Sequence, residues 1–153
     1  MLFCELWAKT TRLTGRTRMN NKKLGNEFER ALCELLFNKG FWVHNFANKT
    51  TGQPADIIAC KNKIALLIDA KECTRDSYDT RRIEENQKNS MFLWEQCGNG
   101  LGYFALKLSD ESIFMVNHNA MLLARQHKRT LNRADIINLG TPFDEWVKGV
   151  VSQ

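Results

Sequence analysis

The stretch ADIIACKNKIALLIDAK, residues 55–71, decides the fold of this chain. Two short apolar runs, 55–60 and 64–70, flank the polar turn 61–63, which is the pattern of a β-hairpin. Both runs are rich in Ile and Leu, as expected of strands that are covered on both faces. The stretch therefore predicts a buried hairpin.

Charged side chains converge at one end of this hairpin. Folding the pair about Asn62 sets Asp56 opposite Ile68 or Asp69, and directly opposed side chains lie roughly 5 Å apart. Two carboxylates at that separation can share one metal ion. Asp69 and Lys71 are two residues apart, so they share a face of the second strand. The hairpin alone brings Asp56, Asp69 and Lys71 to one place.

Two interpretations of this trio are open. Strand ends often carry Asp and Lys simply because they approach solvent. However, burying unpaired carboxylates among apolar residues costs several kcal/mol unless a cation compensates. A functional site explains a charged trio at the end of a buried hairpin better than chance does.

Four segments of the sequence resemble a known family of nucleases. Asp69-Ala70-Lys71 resembles the D-x-K half of the PD-(D/E)xK nuclease superfamily. Together, DAKECT at 69–74, IEENQ at 83–87 and GYFAL at 102–106 are similar to RecU-type, phage and archaeal Holliday junction resolvases. The segment GNEFER at 25–30 resembles their first helix, in which G-x-x-x-E supplies a metal-site carboxylate.

The resemblance implies a fold and an activity. The fold is α/β, with the αβββαβ core of restriction-endonuclease-like proteins: a mixed central sheet flanked by helices. The activity is metal-dependent hydrolysis of DNA, in which a Holliday junction resolvase nicks four-way junctions symmetrically and leaves 5′ phosphates. Symmetric cutting requires paired sites, so we expect a homodimer.

The resemblance also implies roles for particular residues. We expect a catalytic set of Glu29, Asp56, Asp69, Lys71 and Gln87. One or two Mg²⁺ would be held by Asp56, Asp69, the Ala70 carbonyl and Glu29, and Mn²⁺ would serve as a substitute. These ligands suit such ions because hard cations prefer oxygen ligands. Lys71 would orient or deprotonate the attacking water, and Gln87 would hold a water or a phosphate oxygen. Helical periodicity leaves Glu27 and Glu29 both open, and the G-x-x-x-E resemblance favours Glu29.

Some residues depart from the family pattern. Ala55 separates Pro54 from Asp56, and Asn86 stands where the family has a His before Gln87. The segment before Asp56 is too short for the stalk insertion with which RecU grips a junction. Two alternatives therefore stay open: another PD-(D/E)xK nuclease, repair or restriction-like, without junction specificity, or a non-catalytic DNA-binding protein.

The basic residues are unevenly distributed. Residues 1–23 carry six basic groups and one acidic group, whereas the rest of the chain is balanced. We expect residues 1–20 to form a flexible basic arm, either contacting phosphates or merely solvated, and residues 21–153 to form one nuclease domain. An upstream extension with Met19 as the natural start is a further possibility. The candidate DNA-binding residues are Lys22, Lys23, Arg75, Arg81 and Arg82.

Cysteine usage and hydropathy point to a cytoplasmic protein. The five cysteines form no C-x-x-C motif, which argues against a disulfide framework or a zinc site. The sequence has no apolar run of about 20 residues that would cross a membrane. The compact, phage-like chain suggests a viral or prophage origin.

Hydrophobic periodicity predicts the remaining elements. We expect helices at 21–38, 81–97, 119–128 and from near Asn132, and a last helix from Pro142 to about Val151 with Thr141 as its cap. Further strands are expected at 41–47, 103–108 and 112–116, and a polar loop over the site at 72–80. On the helix at 81–97, Gln87 shares an otherwise apolar face with Ile83, Met91 and Trp94.

Overall fold

The computed structural model describes residues 21–46 and 53–152. The predicted basic arm at 1–20 lies outside the described residues. Lys22 and Lys23 fall within the first helix, but their side chains are also outside the described part of the chain. No helix within the described ranges is long and apolar enough to cross a membrane.

Five α-helices, a 3₁₀ turn and eight strands make up the described chain. In order, they are α1 (Asn21–Asn38), β1 (Trp42–Asn45), β2 (Ile57–Lys61), β3 (Ile64–Glu72), β4 (Tyr78–Asp79), the 3₁₀ turn (Thr80–Arg82), α2 (Glu85–Gln96), β5 (Gly102–Lys107), β6 (Ile113–Asn117), α3 (His118–His127), β7 (Thr130–Leu131), α4 (Arg133–Leu139), β8 (Thr141–Pro142) and α5 (Phe143–Val151).

The main sheet has six strands in the order β1-β2-β3-β5-β6-β8. The pair β3–β5 is parallel, and the other neighbours are antiparallel. β4 and β7 form a separate two-stranded sheet. This arrangement confirms the predicted α/β fold with a mixed central sheet flanked by helices.

Helices cover both faces of the main sheet. On one face, α1 and α5 bury a cluster that includes Leu32, Ile57, Ile68 and Trp146. On the other face, α2, α3 and α4 bury a cluster that includes Leu67, Met91, Phe104 and Met121. Side chains alternate between the faces along a strand, so Asp69 and Lys71 lie on the same face as Leu67, below α2.

The predicted hairpin is present with a tight two-residue turn. Lys61 pairs with Ile64, and Asn62 and Lys63 between them have φ values of 50° and 66°. Positive φ at both central residues is the feature of the type I′ turn, whose twist matches that of the flanking strands. The turn therefore sets the register of the hairpin.

Three details differ from the sequence-based expectations. The helix predicted at 81–97 is divided, because Ile83 and Glu84 are extended between the 3₁₀ turn and α2. The predicted loop at 72–80 contains β4, which pairs with a β7 that the sequence did not indicate. Pro142, and not Thr141, occupies the N-cap position of α5, since Thr141 and Pro142 pair with β6 as β8.

Candidate active site

The two hairpin aspartates meet where β2 begins. Ile57 pairs with Ile68, and the Asp56 N–H donates to the Ile68 carbonyl at 3.2 Å, so Asp56 directly precedes the paired part of β2 and lies beside Ile68 and Asp69 of β3. Ala70 N–H donates to Asp56 Oδ2 at 2.9 Å. In an extended strand the N–H and C=O of one residue point to the same side, so the Ala70 carbonyl also points towards Asp56. The Asp56 carboxylate and the Ala70 carbonyl thus lie on the same edge of β3, next to the Asp69 residue whose side chain points to the face of the sheet.

Asp69 is the most buried member of this group. Its side chain is 0% exposed, and Lys71 Nζ lies 2.7 Å from Oδ2 as an ion pair, although Oδ2 receives no well-aligned hydrogen bond. Gln87 Nε2 donates to Oδ1 at 2.7 Å. The structure therefore brings together Asp56, Asp69, Lys71 and Gln87, as the sequence predicted.

Gln87 connects the start of α2 to this carboxylate. Its Oε1 accepts the Glu84 N–H at 3.4 Å, while its Nε2 donates to Asp69. With one partner for each end, the amide has a fixed orientation. The sequence suggested a water or phosphate partner for Gln87, and the structure gives it Asp69 as its immediate partner.

Burial and charge act on the Asp69 carboxyl in opposite directions. Burial is the largest influence and raises its pKa; the Lys71 ammonium lowers it, and the nearby Asp56 carboxylate raises it again. The net effect is a raised pKa, so Lys71 alone does not offset the burial of the charge. A cation bound between the two carboxylates would supply the missing compensation.

Glu29 approaches from the opposite layer of the fold. It is 4% exposed on α1, whereas Glu27 is only half-buried. Cys33, one turn further along α1, has a pKa that is raised to about 12, first by burial, then by Glu29, and also by Asp56. Glu29 and Asp56 therefore both lie near Cys33.

The donor set fits a hard divalent cation. Within residues 21–46 and 53–152, no three His, Cys, Asp or Glu side chains converge closely enough to form a ready-made metal cluster. The donors in place are the Asp56 and Asp69 carboxylates and the Ala70 carbonyl, all of them oxygens. The buried Asp69 Oδ2 accepts no hydrogen bond and has Lys71 Nζ beside it, which leaves a lone pair available to a cation.

The candidate DNA-binding arginines differ in their availability. Arg81 pairs with Asp79 at 2.5 Å, which reduces its availability for phosphate. Arg82 is exposed, and its guanidinium lies 5.5 Å from the centre of the Tyr78 ring. Arg75 is exposed.

One residue near the site was missed by the sequence analysis. Tyr78 is 0% exposed, and its hydroxyl has no hydrogen-bond partner within the described part of the chain. Its pKa is raised, first by burial and then by the charge of Asp69. A single aromatic residue inside the polar segment 72–80 was the available sign, and the segment was nevertheless predicted to be a polar loop over the site.

The chain is similar to one described family and to a solved structure. A family model for archaeal Holliday junction resolvase (Hjc) matches residues 20–153. The 1.6 Å structure of Hjc from Archaeoglobus fulgidus, a Holliday junction resolvase from an archaeal hyperthermophile, superposes with a TM-score of 0.64 at 21% identity, covering 80% of this chain and 99% of that chain. At this identity the structural match shows the fold alone. No curated protein matches the chain.

Proposed function

The chain belongs to the archaeal Holliday junction resolvase family and is a metal-dependent, junction-resolving endonuclease, and we propose that the end of its β2–β3 hairpin is the cleavage site. The observation that carries this proposal is the meeting of Asp56, Asp69 and Lys71 in one buried corner, with Gln87 bound to Asp69. The family match supports the sequence-based prediction of a PD-(D/E)xK resolvase.

We propose Mg²⁺ as the physiological cation, with Mn²⁺ as a substitute. Asp56, Asp69 and the Ala70 carbonyl would hold it, with Glu29 as a further ligand from α1. When bound, the cation lowers the pKa of water and neutralises charge on the scissile phosphate. An all-oxygen donor set supports a hard ion over zinc.

The remaining residues would position the reactants. The Lys71 ammonium is 14% exposed and lies at the edge of the buried corner, where it can orient the attacking water and stabilise charge that develops on the phosphate oxygens. Gln87 would keep the Asp69 carboxylate in one orientation. The resulting nick would carry a 5′ phosphate.

We further propose that the enzyme acts as a homodimer in the cytoplasm. Two strands of a junction must be cut symmetrically, which a two-fold pair of sites achieves. The four described cysteines, Cys33, Cys60, Cys73 and Cys97, are free thiols, which suits a reducing compartment. The arm at 1–20 and the side chains of Lys22 and Lys23 would add non-specific affinity for phosphates.

Replacing one carboxylate tests the cleavage site. We expect Asp69→Asn to lower metal-dependent cleavage by at least about a hundredfold, since even outer partners of metal ligands typically contribute 10–100-fold. Junction binding should be largely retained. Asp144→Asn is the matched control, because Asp144 is an exposed carboxylate paired with Lys39 on the far face of the sheet. Full activity of Asp69→Asn would exclude the proposed site.

A second assay tests the substrate. Purified protein is incubated with a labelled four-way junction and a matched linear duplex, with Mg²⁺ and with EDTA. We expect symmetric nicks in the junction alone, and only with the metal. Equal cutting of both substrates would exclude junction specificity, and binding without cutting would favour a non-catalytic DNA-binding role.

A further inference from the structure

A second basic surface lies beside the proposed cleavage site and is built from two distant parts of the chain. Thr80, in the 3₁₀ turn, is 1% exposed. Its N–H donates to the Arg129 carbonyl at 2.9 Å, and its hydroxyl lies 3.0 Å from the Arg129 carbonyl and 3.2 Å from the Lys128 carbonyl. The adjacent pairing of β4 with β7 extends this connection. The turn that carries Arg82 is thus fixed against the segment that carries Arg129.

Helix α3 brings a third arginine to the same place. At 100° per residue, Arg125 falls on the same side of α3 as the buried His118 and Met121. This side of α3 packs inward, and α3 contacts the 3₁₀ turn. Arg125 is exposed in the last turn of this helix, four residues before Arg129.

These three arginines differ from their charged neighbours because they have no acid partner. Arg81 is paired with Asp79, Lys128 with Asp135 at 2.6 Å, and Arg133 with both Asp76 and Asp110. Among the residues that the structure describes, Arg82, Arg125 and Arg129 have no carboxylate within ion-pair distance. Their positive charges are therefore not held in ion pairs.

This basic surface lies close to the residues of the proposed cleavage site. Arg82 lies over the ring of Tyr78, whose buried hydroxyl is within the electrostatic influence of Asp69. Gln87, the partner of Asp69, follows Arg82 by five residues. Glu84 and Glu85 are exposed at the start of α2, so the positive surface extends towards α3 and not along α2.

We propose that Arg82, Arg125 and Arg129 form one phosphate-binding surface, the arginine surface, which grips the DNA backbone next to the scissile phosphate. This inference rests on the proposed function, because it takes the substrate of that site as its ligand. Arginine suits the task because its planar guanidinium matches phosphate oxygens and stays charged. Because the backbone that carries these side chains is already held in place, DNA binding requires less additional ordering of the protein.

The salt dependence of junction binding tests the arginine surface. The full chain carrying Arg82→Gln, Arg125→Gln and Arg129→Gln is compared with wild type for binding to a four-way junction in EDTA over a series of KCl concentrations. Each lost phosphate contact lowers the slope of log K against log salt by about 0.9, so the triple variant should lose about 2 to 3. The matched control is Lys39→Gln, Lys63→Gln and Lys148→Gln, which removes equal charge from exposed positions elsewhere.

The outcomes separate this inference from the proposed function. A slope that falls in the arginine variant and not in the control supports the arginine surface. An unchanged slope, or an equal fall in both variants with unchanged thermal midpoints, overturns it. Wild-type protein that binds junctions but never cuts them with Mg²⁺ would overturn the cleavage proposal, whereas the slopes would still judge the arginine surface.

Discussion

At the scale of single residues, the two oxygens of Asp69 have separate partners. Oδ1 accepts from Gln87 at 2.7 Å, and Oδ2 lies 2.7 Å from Lys71 Nζ. A neutral donor therefore fixes the orientation of the carboxylate, while a charged group compensates part of its burial. Because the amide of Gln87 also accepts from Glu84, the orientation of Asp69 depends on the correct start of α2.

Gln87→Ala should uncouple the carboxylate from the helix. We expect cleavage to fall about 10–100-fold and the Mg²⁺ requirement to rise, because Asp69 loses the donor that orients it. Loss of the contact to the Glu84 N–H should also lower the free energy of unfolding by about 1 kcal/mol. Cleavage rates over a Mg²⁺ titration, with urea unfolding in parallel, measure both effects.

Lys88→Ala is the control on the same helix, since Lys88 pairs only with the exposed Glu85. A Gln87→Ala enzyme with wild-type rate and metal dependence would show that the contact with Asp69 does not matter for cleavage.

At the scale of elements, close packing of α2 on β5 holds this arrangement together. A Cβ added to Gly102 would lie 2.5 Å from Met91 Cγ and 2.8 Å from Met91 Cβ. Only glycine allows the helix to approach the strand so closely, and this approach lets Gln87 on α2 reach Asp69 on β3. The glycine at the start of GYFAL thus has a packing role that its sequence motif does not explain.

Gly102→Ala should push α2 away from the sheet. We expect a loss of about 1–3 kcal/mol in the free energy of unfolding, as for other overpacked cores, together with slower cleavage. Gly149→Ala is the matched control: its added Cβ meets nothing within 4 Å on α5, so better helix propensity should stabilise the protein by up to about 1 kcal/mol. Urea unfolding of the two variants gives the comparison; equal stabilities would contradict close packing at Gly102.

Local patterns predicted most of the elements, and long-range contacts account for what was missed. The hairpin, α1 and the buried stripe of α5 follow from periodicity within short windows, and all three are present. β4 and β7 have two residues each and exist because they pair across about 50 residues, which no local pattern reveals.

For the candidate site, too, local patterns predicted part of the arrangement, and long-range contacts account for the rest. The register of one hairpin was enough to predict that Asp56 and Asp69 meet. Periodicity placed Gln87 on an inward face, but its choice of Asp69 as partner depends on how α2 docks on the sheet. The burial of Tyr78 likewise depends on its pairing with β7, so no local pattern connected Tyr78 with Asp69.

At the scale of the whole molecule, Arg133 ties three separate segments together. It pairs with Asp76 at 2.9 Å and with Asp110, and thereby connects α4 with the segment after β3 and with the β5–β6 turn. The Ser109 N–H, helped by Arg133, lowers the pKa of Asp76. Ser112, followed by Arg133, lowers the pKa of Asp110.

Acid should therefore weaken the fold through these groups. A carboxyl whose pKa is lower in the folded state contributes stability above its unfolded pKa of about 3.9, and that contribution is lost as the pH falls through the folded value. We expect Arg133→Gln to be less stable than wild type at pH 6, and the difference in unfolding free energy should shrink towards pH 2. Urea unfolding across this range measures it; a constant difference would exclude the electrostatic explanation.

The single parallel pair β3–β5 divides the chain into two successive parts with different contributions. Everything proposed to perform chemistry, from Glu29 to Gln87, comes before the exposed turn at Cys97 and Gly98, whereas Arg125 and Arg129 come after it. An insertion or a changed loop in that exposed turn would leave in place the strand pairs β3–β5 and β4–β7, which join the two parts. Evolution can therefore alter how the enzyme holds its DNA by changing the later part of the chain, while the earlier part keeps the cutting reaction unchanged.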